Sequence, residues 1–169
     1  MSRAFVNEDN EALSGEELPE RPVSDEPNYV TQAGLERLRA KVDQLHAEHA
    51  QLKRDAEDFD RPRMTEIERD LRYFQARLES AIPVDLAAQP RDVVRFGASV
   101  TTEDESGAMQ SFTIVGEDEA DVIHGKVSWH SPLSTALMGA KVGDTVTWDR
   151  PAGATTLEVL DIGYPKPIG

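Results

Sequence analysis

One dense group of side chains able to do chemistry is a run of acids at Asp55, Glu57, Asp58 and Asp60. Carboxylate oxygens suit a hard divalent cation such as Mg²⁺, which takes one or two protein carboxylates and keeps several waters. Asp55 and Asp58 stand three residues apart, the spacing at which two side chains on one helical turn face the same ion. Such a run is equally what a solvated turn carries as surface charge, and the acids alone leave both readings open. The histidines make a poorer case. His46 and His49 fall three apart on a helical pattern, but no further ligands accompany them. His124 and His130 have no nucleophile arranged around them. The chain has no glycine-rich phosphate loop and no cysteine, which excludes disulfides and thiolate metal sites and is compatible with a reducing cytoplasm.

Two apolar patterns flank the acidic run and must position it. Leu35, Leu38, Val42, Leu45, His49 and Leu52 alternate spacings of three and four, with charged residues between them. Met64, Ile67, Leu71, Phe74 and Leu78 repeat that spacing. Each is one seam of a coiled coil, and the short break between them predicts an antiparallel helical hairpin over residues 29–82 with its tip near 55–61. Thr31 suits the N-cap of the first helix, and Pro62 suits the first turn of the second, where its missing N–H costs nothing. At ~1.5 Å per residue the arm is ~40 Å long.

Before the hairpin, residues 1–28 are rich in Glu, Asp, Pro and Ser. They predict a disordered acidic tail, because they cannot bury enough apolar surface to offset ordering entropy. After it, residues 83–169 change to short β-rich runs. Strands are predicted over 93–100, 110–115, 126–129, 145–148 and 156–162. A short helix is predicted over 131–138, with Ser131 as N-cap and Pro132 in its first turn. Trp129 and Trp148 read as core or edge aromatics of this domain. The whole is α+β: a helical hairpin followed by a compact β-rich domain.

Net charge is −14, and it is unevenly placed. Residues 1–30 carry 2 basic and 8 acidic side chains, residues 31–80 carry 10 and 11, and residues 81–169 carry 6 and 13. Such a surface repels phosphate backbones, so direct duplex DNA binding is not expected. It favours a basic protein partner instead. No apolar run reaches the ~18 residues of a membrane span. The N-terminus is acidic and shows no secretory leader, so a cytoplasmic location is expected; the chain is also expected to act as a monomer.

The last half of the chain also carries an ordered series of short motifs. They are Val94-x-Phe96-Gly97-Ala98-x-Val100, then Ile114-Val115-Gly116-x-Asp118-Glu119-Ala120-Asp121, then Ser131-Pro132-Leu133-x-x-Ala136-Leu137-x-Gly139. Val142-Gly143-Asp144-x-Val146, Pro151-x-Gly153 and Glu158-Val159-Leu160-x-Ile162 follow. In order and spacing this series resembles the Gre-type bacterial transcription elongation factors, over some seventy residues and with a coiled-coil hairpin in front.

The resemblance implies an FKBP-like C-terminal domain that binds RNA polymerase at the rim of the secondary channel, with the hairpin reaching toward the active site. It places the rim-docking surface near Asp118, Glu119, Asp121, Ser131, Pro132 and Leu133. It also implies that tip carboxylates, here Asp55 and Asp58, share a Mg²⁺ with the polymerase, the factor having no cofactor and no enzymatic activity of its own. The tip departs from the family pattern of Asp-x-x-Glu-Asn followed by Ala, an acid and Tyr. Asp58 replaces Glu, Phe59 replaces Asn, and Asp60-Arg61-Pro62 follows. The hairpin also reads about two helical turns shorter per arm, which leaves its tip ~11 Å short. A modulator of elongation with weak or absent transcript cleavage is therefore expected. The alternative is a Gre relative without cleavage activity, such as a regulator of nucleoside diphosphate kinase or a channel-blocking inhibitor.

Overall fold

The computed structural model describes residues 18–55 and 60–165. They form two compact units, one of residues 18–27 with 36–81 and one of residues 28–35 with 82–165. The division shifts the expected boundary, because the residues just before and within the first helical turn group with the β-rich part.

The hairpin unit is built on α1 (Gln32–Arg54) and α2 (Arg61–Ser80). The helices run antiparallel, since Arg63 reaches Glu48 at 2.7 Å while Gln75 reaches His46 at 3.1 Å. Val42 and Leu45 pack with Ile67 and Leu71, and Leu52, Phe74 and Leu78 close the cluster. These are the two seams read from the spacing. His49 lies along the seam and turns its Nε2 to Glu68 at 3.2 Å. At ~1.5 Å per residue α1 is ~35 Å long.

Residues 18–27 form no helix or strand, in keeping with Pro19, Pro22 and Pro27, which remove donors and restrict φ. They are nevertheless tied to α2, which the reading of residues 1–28 as a loose tail did not include. Arg72 donates from Nε to both Glu20 oxygens at 2.9 and 3.1 Å, and this bond holds the Glu20 carboxyl below the usual carboxylate range. The Arg21 guanidinium sits 4.1 Å from the centre of the Tyr73 ring and donates to Asp70 at 3.4 Å. The ionic contacts are opposite in sense, one acid and one base from the segment, so a reversed register would pair like charges.

In the other unit the two chain passages that flank the hairpin in sequence pair as a parallel two-residue ladder. β1 (Tyr29–Val30) lies beside β2 (Ile82–Pro83), with the Ile82 N–H donating to the Asn28 carbonyl at 2.8 Å. The main sheet contains β3 (Ser99–Asp104), β4 (Met109–Val115), β5 (Lys126–Ser128), β6 (Thr145–Trp148) and β7 (Thr155–Gly163). Its order is β5-β4-β3-β7-β6, antiparallel except for the β4–β5 pair. A short helix, α3 (Pro132–Leu137), buries Leu133 and Leu137 in the sheet core with Val94, Val100, Ile114 and Val159. The architecture is α+β.

One predicted strand moves. Residues 93–100 were expected to be extended, but β3 begins only at Ser99. Gly97 takes φ +89°, a left-handed conformation that interrupts a strand. Val94 instead exchanges backbone bonds with the loop after α3, donating to Ala140 and accepting from Gly139, both at 2.9 Å. Its side chain is still fully buried, so the apolar alternation was real while the ladder was not.

Candidate functional site

At the hairpin tip, Asp55 follows the last residue of α1 and is exposed. The Gln51 amide donates to its Oδ2 at 3.4 Å. Asp60 caps α2, its Oδ1 accepting the Arg63 N–H at 3.0 Å, with Pro62 in the first turn. Glu57 and Asp58 lie outside the described residues. Of the tip acids, Asp55 and Asp60 are the two among the described residues. Among the described residues no cluster of three or more His, Asp or Glu side chains is placed to hold a metal ion.

Asp60 has a job that requires no ligand. An N-cap carboxyl satisfies one of the four orphan N–H groups of a helix start, and its removal costs about 1 kcal/mol. Asp60→Ala should lower hairpin stability by that amount and speed amide exchange at Arg63, read by hydrogen-exchange mass spectrometry. Unchanged exchange there would show that the cap contributes nothing.

The docking candidates of the sheet unit divide into two groups. Asp118 is exposed, and Asp121 is partly so. His124 Nδ1 lies 2.6 Å from Asp121 Oδ2 and holds that carboxyl below its usual range. Pro132 is exposed at the start of α3, where Ser131 Oγ accepts the Ser134 N–H at 3.2 Å. Leu133 and Glu119 do not belong to the surface. Leu133 is a core residue, 4% exposed. It lies in the first turn of α3, on the face that packs against the sheet.

Glu119 is the larger correction. It sits in a 3₁₀ turn, Glu117–Glu119, that folds its carboxyl inward, and it is 7% exposed. Its Oε2 accepts the Gly116 N–H at 3.0 Å and the Thr31 N–H at 3.1 Å, while its Oε1 accepts the Thr31 hydroxyl. Thr31 Oγ1 in turn accepts the Gly34 N–H at 3.0 Å, which makes Thr31 the cap of α1. A Cβ built on Gly34 would lie 2.6 Å from both Glu119 oxygens, so only glycine lets the first helical turn sit on this carboxyl. The residue expected on the docking surface is instead the internal latch of the first turn of α1.

What the sequence reading passed over stands beside it. Val122 and Ile123 occupy a second 3₁₀ turn, Val122–His124, and are 84% and 91% exposed. Within a run rich in acids and turn residues they showed no periodicity that would single them out.

Residues 89–164 match the family model described as "Transcription elongation factor, GreA/GreB, C-term". A transcription elongation factor GreB of Neisseria meningitidis serogroup B is 35% identical over 155 residues, which span 82% of this chain and 95% of the relative. The chain belongs to the GreA/GreB transcription elongation factor family. A GreA of Trichlorobacter lovleyi is 39% identical over 152 residues, spanning 85% of this chain and 96% of its own. Among solved structures, the GreA factor homolog 1 (Gfh1) of Thermus thermophilus shares 25% identity with a TM-score of 0.40, covering 82% of this chain and 99% of its own. The family match falls on the sheet unit and its connections, where all the surface docking candidates lie. No helix among the described residues is long and apolar enough to cross a membrane.

Proposed function

We propose that this chain docks on bacterial RNA polymerase at the rim of the secondary channel and modulates elongation through the polymerase's own active site. Alignment with elongation factors over more than four-fifths of this chain and nearly all of theirs carries the reading. The sheet unit provides the docking face, with Asp118, Asp121, Ser131 and Pro132 toward the partner and Glu119 and Leu133 holding that face in shape. Exposed acids there suit a basic partner surface, which steers encounter and fixes register. The factor acts as a monomer and in the cytoplasm, where its partner works. Any Mg²⁺ at the tip belongs to the polymerase, with Asp55 and Asp58 as the candidate ligands this chain brings to it.

The departures at the tip favour a modulator with little cleavage activity. Asp60 is committed to capping α2, and Asp58 and Phe59 stand where the family pattern has Glu and Asn. Two measurements test the reading: retention of the full chain on purified core polymerase, and transcript cleavage in backtracked complexes beside the Neisseria GreB. Retention with much weaker cleavage than that relative is the expected result. Failure to bind core polymerase would refute the docking claim. Robust cleavage that disappears in Asp55→Ala or Asp58→Ala would refute the modulator claim alone.

A further inference from the structure

Large aliphatic side chains on an ordered turn normally fold inward, since each one buried removes apolar surface from water. Val122 and Ile123 do the opposite, and the surrounding backbone fixes them in that position. The turn is closed at its base by a reciprocal pair of bonds: the Asp121 N–H donates to the Lys126 carbonyl, and the Lys126 N–H to the Asp121 carbonyl, both at 2.9 Å. Gly125 ends the turn at φ +70°, its N–H donating to Val122 at 3.1 Å and its carbonyl accepting from Thr113 at 2.8 Å. The His124–Asp121 side-chain bond braces the same loop from outside. Two aliphatic side chains are thus displayed on a frame tied into β4 and β5. A displayed pair of this kind loses little conformational freedom on binding, which is what an anchor requires.

The surroundings state the chemistry of the partner. Glu117, Asp118 and Asp121 flank the pair along the chain, and Lys126 is the single Lys or Arg in residues 117–126. We propose that Val122 and Ile123 are the apolar anchor of the docking face and insert into an apolar recess framed by basic side chains on RNA polymerase. This rests on the docking reading above and assigns affinity to residues that no charge argument would select. A few desolvated residues near the centre of an interface carry most of its affinity, while rim charges set encounter rate and salt dependence.

The test uses the full chain and purified core polymerase at low and high salt, with Val122→Ser, Ile123→Ser and the double substitution. Both side chains are exposed, so the melting temperature should not move. The double variant is expected to bind about tenfold or more weakly at both salt concentrations. Asp118→Asn with Asp121→Asn should instead flatten the salt dependence. A double serine variant that binds within about twofold of wild type would overturn the anchor while leaving docking intact. A wild-type chain that does not bind the polymerase would overturn both. If the wild-type chain self-associates and Ile123→Ser makes it monomeric, the pair serves a second copy of this chain and the polymerase assignment is wrong.

Discussion

Glu119→Ala should lower the stability of the sheet unit by about 2–4 kcal/mol, equivalent to a drop in melting temperature of roughly 10–20 °C for a domain of this size. The carboxyl accepts three hydrogen bonds, from the Thr31 N–H, the Thr31 hydroxyl and the Gly116 N–H. Thr31 and Gly116 are themselves buried, so alanine leaves donors with neither a protein partner nor ready access to water. Each such group costs about 1–3 kcal/mol, and water entering the vacated space recovers part of it. Glu119→Gln retains acceptor capacity but sets an amide N–H₂ among donors, and should fall between wild type and alanine. Differential scanning calorimetry of the three proteins decides it. An alanine variant that melts with wild type would show that the latch merely fills space. If Glu119 were chiefly a docking residue, alanine would weaken polymerase binding without lowering the melting temperature.

Ile67→Ala should destabilise the hairpin by about 3 kcal/mol, the usual cost of emptying a fully buried aliphatic site. Ile67 has no exposed surface and packs in the cluster of Val42, Leu45 and Leu71. Two helices of this length take most of their stability from the face they share, because isolated helices are marginal in water. Few other contacts in that cluster can compensate. Both tryptophans of the chain, Trp129 and Trp148, lie in the sheet unit. Tryptophan fluorescence therefore reports the sheet unit, whereas far-UV circular dichroism is dominated by the hairpin. In Ile67→Ala the helical transition should move to lower temperature while the fluorescence transition stays in place. A joint shift would mean that the two units unfold as one.

The hairpin was legible because its information is local. A spacing of three and four fixes which side of each helix is apolar, and two such stripes joined by a short break leave one economical way to bury both. The same holds for the Ser131 cap of α3 and for the four strands whose period-two alternation coincides with a real ladder. Residues 93–100 share that alternation, yet Gly97 and the exchange between Val94 and the loop after α3 divert them from the sheet. Periodicity reports burial. It does not report where the backbone N–H groups go.

The acidic run from Asp55 to Asp60 is legible only in part. The residue types permit cation binding, but the fold gives Asp60 to the start of α2, where it caps the helix. Glu119 shows the opposite limit. An acid between Asp118 and Asp121 in a strongly acidic chain reads as surface, and its burial depends on Thr31 and Gly34, more than eighty residues earlier. Val122 and Ile123 are the complementary case: residues of a type that ordinarily prefers the interior, standing in solvent. By itself the sequence determined the family, the helical pairing and the acidic character of the chain, all of which follow from local pattern and composition. Only the tertiary structure decided which acid turns inward and which aliphatic pair turns outward. That choice is made by contacts between segments distant along the chain, where hydrogen-bond satisfaction outweighs the ordinary preference of each residue type.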